Sequence, residues 1–369
     1  MPNYHAESCV IETLQDIKQE WINLQERSDC SYFLSWGWIG AWLEHIAIDL
    51  QPVIVKVWSN ENLIGMGLFV SRNVKRRKIF SSQAMFLNEY PFDGRNMVIE
   101  YNGLLAEKGF EGTVYAETVS HLSSKYTQYD EFNFGAVEKE PDCNMLEKCA
   151  DGNLRYIVNE QSVCWQVDLE KFEPELDSYL AGLSKNTRGQ IRRSLRLYEE
   201  QAPVTLSEAV TVDDALAYFE SLKDFHTKHW QSKGKSGSFA NPMWVSFQKT
   251  LIKKRFKFGE IQMIKIANSH GDIAYLYNYI WQRRVYVLQM GFNYQEDKRF
   301  KPGYVAHTLA IVHNRDKGML VYDFMHGESR YKSSLGSSSV NLYWVVLQRP
   351  RLKFLLEHWS VGIIRRLRK

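Results

Sequence analysis

The chain has 369 residues, 44% hydrophobic and 14% aromatic, which is apolar material for two cored domains. No stretch approaches the apolar length that spans a bilayer, and no cationic start precedes an apolar run at the N-terminus, so neither a membrane span nor a secretory signal is expected. The formal charge of +3 is too small to hold nucleic acid, which excludes DNA as an expected partner.

In chain order, Glu12 to Leu24 and Trp36 to Ile48 read as helices. Trp38, Trp42 and His45 share one face of the second, as core residues do. "PVIVKVWS" (52–59), "LIGMGLFVSR" (63–72) and "KIFSSQAMFL" (78–87) read as strands. An irregular piece from Asn88 precedes a helix over 111–124 and a strand over 130–137. The order is three strands, loop, helix, strand.

That order recurs in the second half. Residues 177–200 and 211–230 read as two helices, followed by strands over 260–267, 273–281 and 285–292. A loop, a helix over 303–317 and a strand over 319–326 complete it. This is an internal duplication at the level of element order. The expected division is 1–158, 159–345 and a C-terminal helix, 346–369, with the break where "EKEPDCN" interrupts the pattern. In the tail helix Leu352, Leu355, Trp359, Ile363 and Leu367 form one stripe, ending in "RRLRK". Packing of this stripe on the protein is favoured over attachment to an anionic membrane surface. The five cysteines, Cys9, Cys30, Cys143, Cys149 and Cys164, form no CxxC pair and read as reduced thiols in a cytoplasmic protein.

Four places carry candidate chemistry. The turn "DKRFKPGY" (297–304) joins a strand to a helix and brings Lys298, Arg299 and Lys301 to Gly303 at the helix start, a setting that suits an anion. Lys185, Arg188, Arg192 and Arg196 form a basic stripe on one helix, either a solvated face or a wall toward phosphates. His226 and His229 sit three apart with no third ligand in view, so no metal is expected. In "YDFMHGESRYK" (322–332), Asp323 or Glu328 could accept a proton, Tyr331 could give one, and Lys332 could stabilise an oxyanion or a phosphate. No Cys or Ser stands in a recognisable nucleophile motif, so a covalent acyl-enzyme is not expected.

"LSKNTRGQIRRSLR" (183–196), "FHTKHWQSKGKSGSF" (225–239), "GDIAYLYNYIW" (271–281), "QMGFNYQEDKRFKPGYVAHTLAI" (289–311) and "VYDFMHGESRYKSSLG" (321–336) together resemble the Gcn5-related N-acetyltransferase (GNAT) superfamily. The branch they resemble is the double-domain one that holds CelD-like proteins and Fem-type transferases. "FLSWGWIGAWLEH" (33–45) and the strand order carry the likeness into the first half. The resemblance implies an α/β (α+β) fold of two tandem GNAT-like repeats, each a mixed, largely antiparallel sheet flanked by helices. It implies an acyltransferase that uses acetyl-CoA or another acyl-CoA, by direct transfer in a ternary complex.

The implied cofactor-binding residues are Gln289, Gly291, Lys298, Arg299, Lys301, Gly303, Tyr304, Val305, Ala306 and His307. The implied catalytic set is Asp323, Glu328, Tyr331 and Lys332, with Gly327 lining the site. Arg188, Arg192, His226, His229 and Trp230 would face the acceptor. So would Asp93, Glu100 and Asn102 of the first repeat, which shows no basic pyrophosphate loop and is expected to take no cofactor. The implied acceptor is an amine or hydroxyl on a sugar, nucleotide-sugar or envelope precursor. An aminoacyl-tRNA donor, as in Fem-type enzymes, is a second expectation. The lack of a coiled-coil arm and of a strong basic excess speaks against tRNA. A non-catalytic scaffold is the third, because 300–305 departs from the usual Arg/Gln-x-x-Gly-x-Gly/Ala pattern and Pro302 removes an N–H donor.

Overall fold

The computed structural model describes residues 2–76, 80–97, 99–150 and 153–357. In chain order its main elements are β1 (Tyr4–Val10), α1 (Gln15–Gln25), α2 (Trp36–Trp42), β2 (Val53–Ser59), β3 (Asn62–Arg76), β4 (Phe80–Leu87) and β5 (Leu105–Ala106). Then come α3 (Glu111–Lys125), β6 (Glu131–Glu138), α4 (Asn144–Cys149), β7 (Arg155–Asp168), α5 (Leu176–Ala181), α6 (Lys185–Glu199), β8 (Thr205–Glu208) and α7 (Val212–Ser232). The rest are α8 (Pro242–Arg255), β9 (Ile261–Asn268), β10 (Gly271–Trp281), β11 (Arg284–Phe292), α9 (Pro302–Asp316), β12 (Val321–His326), α10 (Arg330–Leu335) and β13 (Ser338–Gln348).

The chain forms two compact units. One comprises the chain up to Gln161 and from Asn341 onward; the other is Ser162–Val340. In the first, the strand order is β1-β2-β3-β4-β6-β13, with β5 beside β3. In the second it is β8-β9-β10-β11-β12-β7. The pairing repeats strand for strand. β2, β3 and β4 are antiparallel, β4 and β6 parallel, β6 and β13 antiparallel. β9, β10 and β11 are antiparallel, β11 and β12 parallel, β12 and β7 antiparallel. The expected duplication of a mixed, largely antiparallel set of strands is therefore present.

Local chemistry explains several boundaries. Ser184 Oγ accepts from Thr187 N at 3.1 Å, which splits the helix expected over 177–200 into α5 and α6. Thr211 and Asp214 make a capping box at the start of α7. Asn241 caps α8 ahead of Pro242, in the first helical turn. Trp38 and Trp42 are buried and stacked at 6.3 Å, as the helical spacing required. α2 ends at Trp42, and turns of other pitch carry the chain on to Leu50. β1, β7, β8, α8 and β13 were not foreseen from the sequence. In the tail, 352–357 is helical, but its packed face differs from the expected stripe. Phe354 is buried against Phe80 at 5.8 Å and Glu357 pairs with Arg76 at 3.0 Å, whereas Leu352 is 78% exposed and Leu355 is also exposed. Trp359, Ile363, Leu367 and the basic end lie outside the described residues. No described helix is long and apolar enough to cross a membrane.

In the first unit the ladder between β4 and β6 spans only Ala84–Phe86 and Glu131–Asn133. Beyond it the chain fills the gap with its own backbone. Asn102 N donates to Ala136 O at 3.0 Å, and Asn102 bridges Val137 as a short parallel strand would. Its side chain donates to Leu87 O at 2.9 Å and accepts from Gly103 N at 2.8 Å and Asn88 Nδ2 at 3.0 Å. Asn88 in turn accepts from Leu68 N at 3.1 Å. Both asparagines are buried. Replacing Asn102 with Ala leaves the Gly103 N–H and the Leu87 carbonyl without partners. It should destabilise the protein by about 1–3 kcal/mol, measurable by urea unfolding. An unchanged midpoint would mean the clasp contributes nothing.

Candidate functional site

The second unit has the same interrupted ladder, but its gap is not bridged in that way. β11 and β12 pair only over Arg284–Tyr286 and Val321–Asp323, while β11 runs on to Phe292. Asp323 sits where the strands part and has no exposed surface. Its carboxylate accepts from Gln166 Nε2 at 2.9 Å, Arg284 Nη1 at 3.1 Å and Met325 N at 2.7 Å. Capture of the Met325 amide accompanies a backbone turn through φ 58° at Met325 and 116° at Gly327. For Met325 that is a sparsely allowed conformation, held by its surroundings. Gly327 supplies the second at little steric cost. The strand thus bends away from β11. Asp323, expected as a proton acceptor, is a buried carboxylate that accepts from donors including Gln166, Arg284 and Met325, the geometry of a group that holds the strand end. Gln166 and Arg284 were not anticipated.

Lys332 is buried, and its ammonium donates to the carbonyls of Met325 at 3.2 Å and His326 at 2.7 Å. It gathers the carbonyls of the bent strand. Tyr331 stacks on His307 with ring centroids 5.4 Å apart, and its hydroxyl lies 3.2 Å from Met290 Sδ. Burial pushes the Tyr331 phenol well above its usual range, so it stays protonated at neutral pH. Glu328 is exposed and takes part in no described hydrogen bond or ion pair.

The loop from β11 to α9 brings the expected anion site into one place, but on fewer residues. Pro302 and Gly303 open α9, and the first-turn N–H groups of Gly303 and Tyr304 have no acceptor within the helix. Lys301 N is already donated to Ser194 Oγ at 2.8 Å. Arg299 is held by Asp297 through contacts of 2.7–3.1 Å, which leaves Lys298 and Lys301 as the uncommitted cations of the loop. Val305, Ala306 and His307 are buried, and Val305 N is already donated to Lys301 O at 3.1 Å. His307 Nδ1 bonds Tyr322 Oη at 2.9 Å, and burial, aided by the charge of Lys332, lowers its pKa to about 3. Gly291 lies under α7, where a Cβ would come 2.5 Å from Leu222 O. Gln289 donates to Ser238 Oγ at 3.2 Å. Both serve the seating of α7 and its following loop rather than the strand gap.

The basic stripe on α6 is largely occupied. Arg188 donates to the carbonyl of Ala181 at 3.3 Å, at the end of α5, where a cation complements the helix terminus. Arg192 pairs with Asp177 at 2.7 Å and Arg196 with Glu200 at 3.6 Å. His226 and His229 pack among rings. His226 lies edge-on to Phe239 at 4.9 Å, and His229 stacks on Tyr294 at 4.5 Å. Burial lowers the pKa of His226 to about 4 and that of His229 in the same direction. Trp230 adjoins both histidines. In the first unit Asp93 is exposed and paired with Arg72, whose guanidinium holds its carboxyl below the usual range. Glu100 is buried, and Asn102 belongs to the clasp described above. None of these three presents a free polar group.

Residues 185–333 match the family model described as "Acetyltransferase (GNAT) domain". The matched segment lies within the second unit, so the likeness to a GNAT acetyltransferase domain is carried by that unit. Among solved structures, the chain is similar to FemX (TM-score 0.57, 10% identity, 91% of this chain and 96% of that chain). It is similar to a conserved protein of unknown function from Bacteroides thetaiotaomicron (0.54, 11%, 93% and 100%) and to L-PGS from Bacillus licheniformis (0.51, 11%, 91% and 94%). At these identities the likeness is one of fold. No curated protein matches the chain in sequence.

If Asp323 holds the bend, Asp323→Asn replaces one acceptor by a donor facing Arg284 or the Met325 amide. Stability should fall by about 1–3 kcal/mol, and the Met325 amide should exchange faster with solvent. Wild-type exchange at Met325 in a folded variant would show that the carboxylate does not hold the strand.

Proposed function

We propose that the second unit takes an acyl-CoA donor, acetyl-CoA in the first instance, and passes its acyl group to an amine or hydroxyl of a sugar, nucleotide-sugar or envelope precursor. The observation that carries the reading is the parted β11/β12 edge leading to Gly303 at the start of α9, within the segment that matches the GNAT model. An unpaired strand edge suits an extended pantetheine chain, and a helix N-terminus suits a pyrophosphate. Coenzyme A supplies an acyl group activated as a thioester. The residues fit such a group: Gly303 and Tyr304 offer N–H donors, and Lys298 and Lys301 offer charge.

Of the two carboxylates in 322–332, Glu328 is the one open to solvent and serves as the base that takes a proton from the acceptor. Tyr331, a phenol kept protonated by burial, serves as the acid for the departing sulfur. Asp323 and Lys332 act by holding the strand end on which both depend. The clasp at Asn102 supports a first repeat without a donor site, since that gap already holds backbone. The five cysteines form no CxxC pair in the sequence, which supports a cytoplasmic place.

Gly303→Val should weaken coenzyme A binding about 10-fold or more by calorimetry, with thermal unfolding as the control for the fold. Unchanged affinity in a folded variant would remove the pyrophosphate role. Glu328→Gln should lower turnover ~100-fold or more while donor affinity stays as in the wild type. Near-normal turnover would exclude Glu328 as the base.

A further inference from the structure

The segment 225–239, "FHTKHWQSKGKSGSF", contains three lysines, two histidines and no acid. The end of α7 and the loop after it fold this segment into an aromatic surface. His229 stacks on Tyr294 at 4.5 Å with rings 22° from parallel, and Tyr294 is 53% exposed. Trp230 stands 6.1 Å from His229, and Lys233 and Lys235 each place an ammonium 5.7 Å from its ring. Neither lysine enters an ion pair among the described residues.

The loop is built to hold this arrangement. Gly237 has φ 68°, and a Cβ there would fall 2.6 Å from His226 Cε1 and 2.8 Å from Trp230 Cδ1, so only glycine lets the loop close over these rings. The Gln289–Ser238 hydrogen bond fastens the loop to β11. His226 Nδ1 is buried with no partner, and burial keeps both histidines neutral at physiological pH, as stacking surfaces rather than charges. On the other side Tyr294 meets Phe292 at 6.0 Å, and the Phe292 ring lies 3.3 Å from where a Cβ on Gly303 would stand. The aromatic surface is therefore continuous with the start of α9.

We propose that Tyr294, His229 and Trp230, flanked by Lys233 and Lys235, form a second subsite that takes an aromatic base carrying a phosphate. Rings of this kind gain from stacking on any base, and unpaired lysines at the end of the shelf suit a phosphate. Two sources share that chemistry. One is the 3′-phosphoadenosine of coenzyme A, which rests on the donor reading above; the other is the nucleoside diphosphate of an acceptor.

Calorimetry on the full chain with coenzyme A, dephospho-coenzyme A and uridine diphosphate separates them, using wild type, Lys233→Ala/Lys235→Ala and Tyr294→Ala. All three replaced residues are exposed, so the fold should survive. If the donor is the source, wild type should prefer coenzyme A over the dephospho form about 10-fold, and the lysine variant should lose that preference. If the acceptor is the source, uridine diphosphate should bind wild type, weaken about 10-fold in both variants, and leave coenzyme A affinity unchanged. Variants that bind all three probes as wild type does, or a wild type that binds none, would overturn the proposal. Coenzyme A binding lost in Gly303→Val but intact in both shelf variants, with no uridine diphosphate bound, would remove the shelf and leave the donor site standing.

Discussion

The second unit depends on a parallel ladder that stops early. After Tyr286 and Asp323 the strands β11 and β12 cease to pair. A single carboxylate explains the stop. Asp323 has no exposed surface, so protein donors must satisfy its charge, and one of them is the amide of Met325. An amide given to a side chain is lost to a ladder. The chain turns through Met325 and Gly327, and Lys332 collects the carbonyls that the turn exposes. Every other feature of the site follows: the free edge of β11, the approach to Gly303 and the placing of Tyr331 beside Met290.

The first unit shows what happens when the same gap is closed. β6 also turns through a positive φ just past its ladder, at Ala136. There the long β4–α3 connection returns and lays Asn102 into the gap. Two copies of one architecture have thus been resolved differently. One gap is satisfied internally by peptide and asparagine amides. The other ends at a helix start whose first-turn N–H groups have no acceptor within the helix.

Much of this was legible in the sequence, because it was written in short-range pattern. The meanders at 53–87 and 261–292 are apolar runs rich in β-branched and aromatic residues and bounded by turns, and the turn with Gly303 falls between a strand and a helix. The longer-range parts were not legible. β13 opens on a polar run and finds β6 two hundred residues earlier in the chain, so no local signal marks it. Asp323 reads as a base until Gln166 and Arg284 are seen beside it, and those partners lie 157 and 39 positions away. No local signal sets His226 edge-on to Phe239 or stacks His229 on Tyr294. The exposed Glu328 needed only elimination, once the other carboxylate was taken.

The account stands on the claim that the donor enters the second gap and not the first. Amide hydrogen exchange of the full chain with and without acetyl-CoA tests this directly. The account predicts added protection at Leu288–Phe292 and at Gly303 and Tyr304, with none at Asn102, Gly103 or Gly135–Val137. Protection confined to the first unit, or no change anywhere at saturating donor, would contradict it.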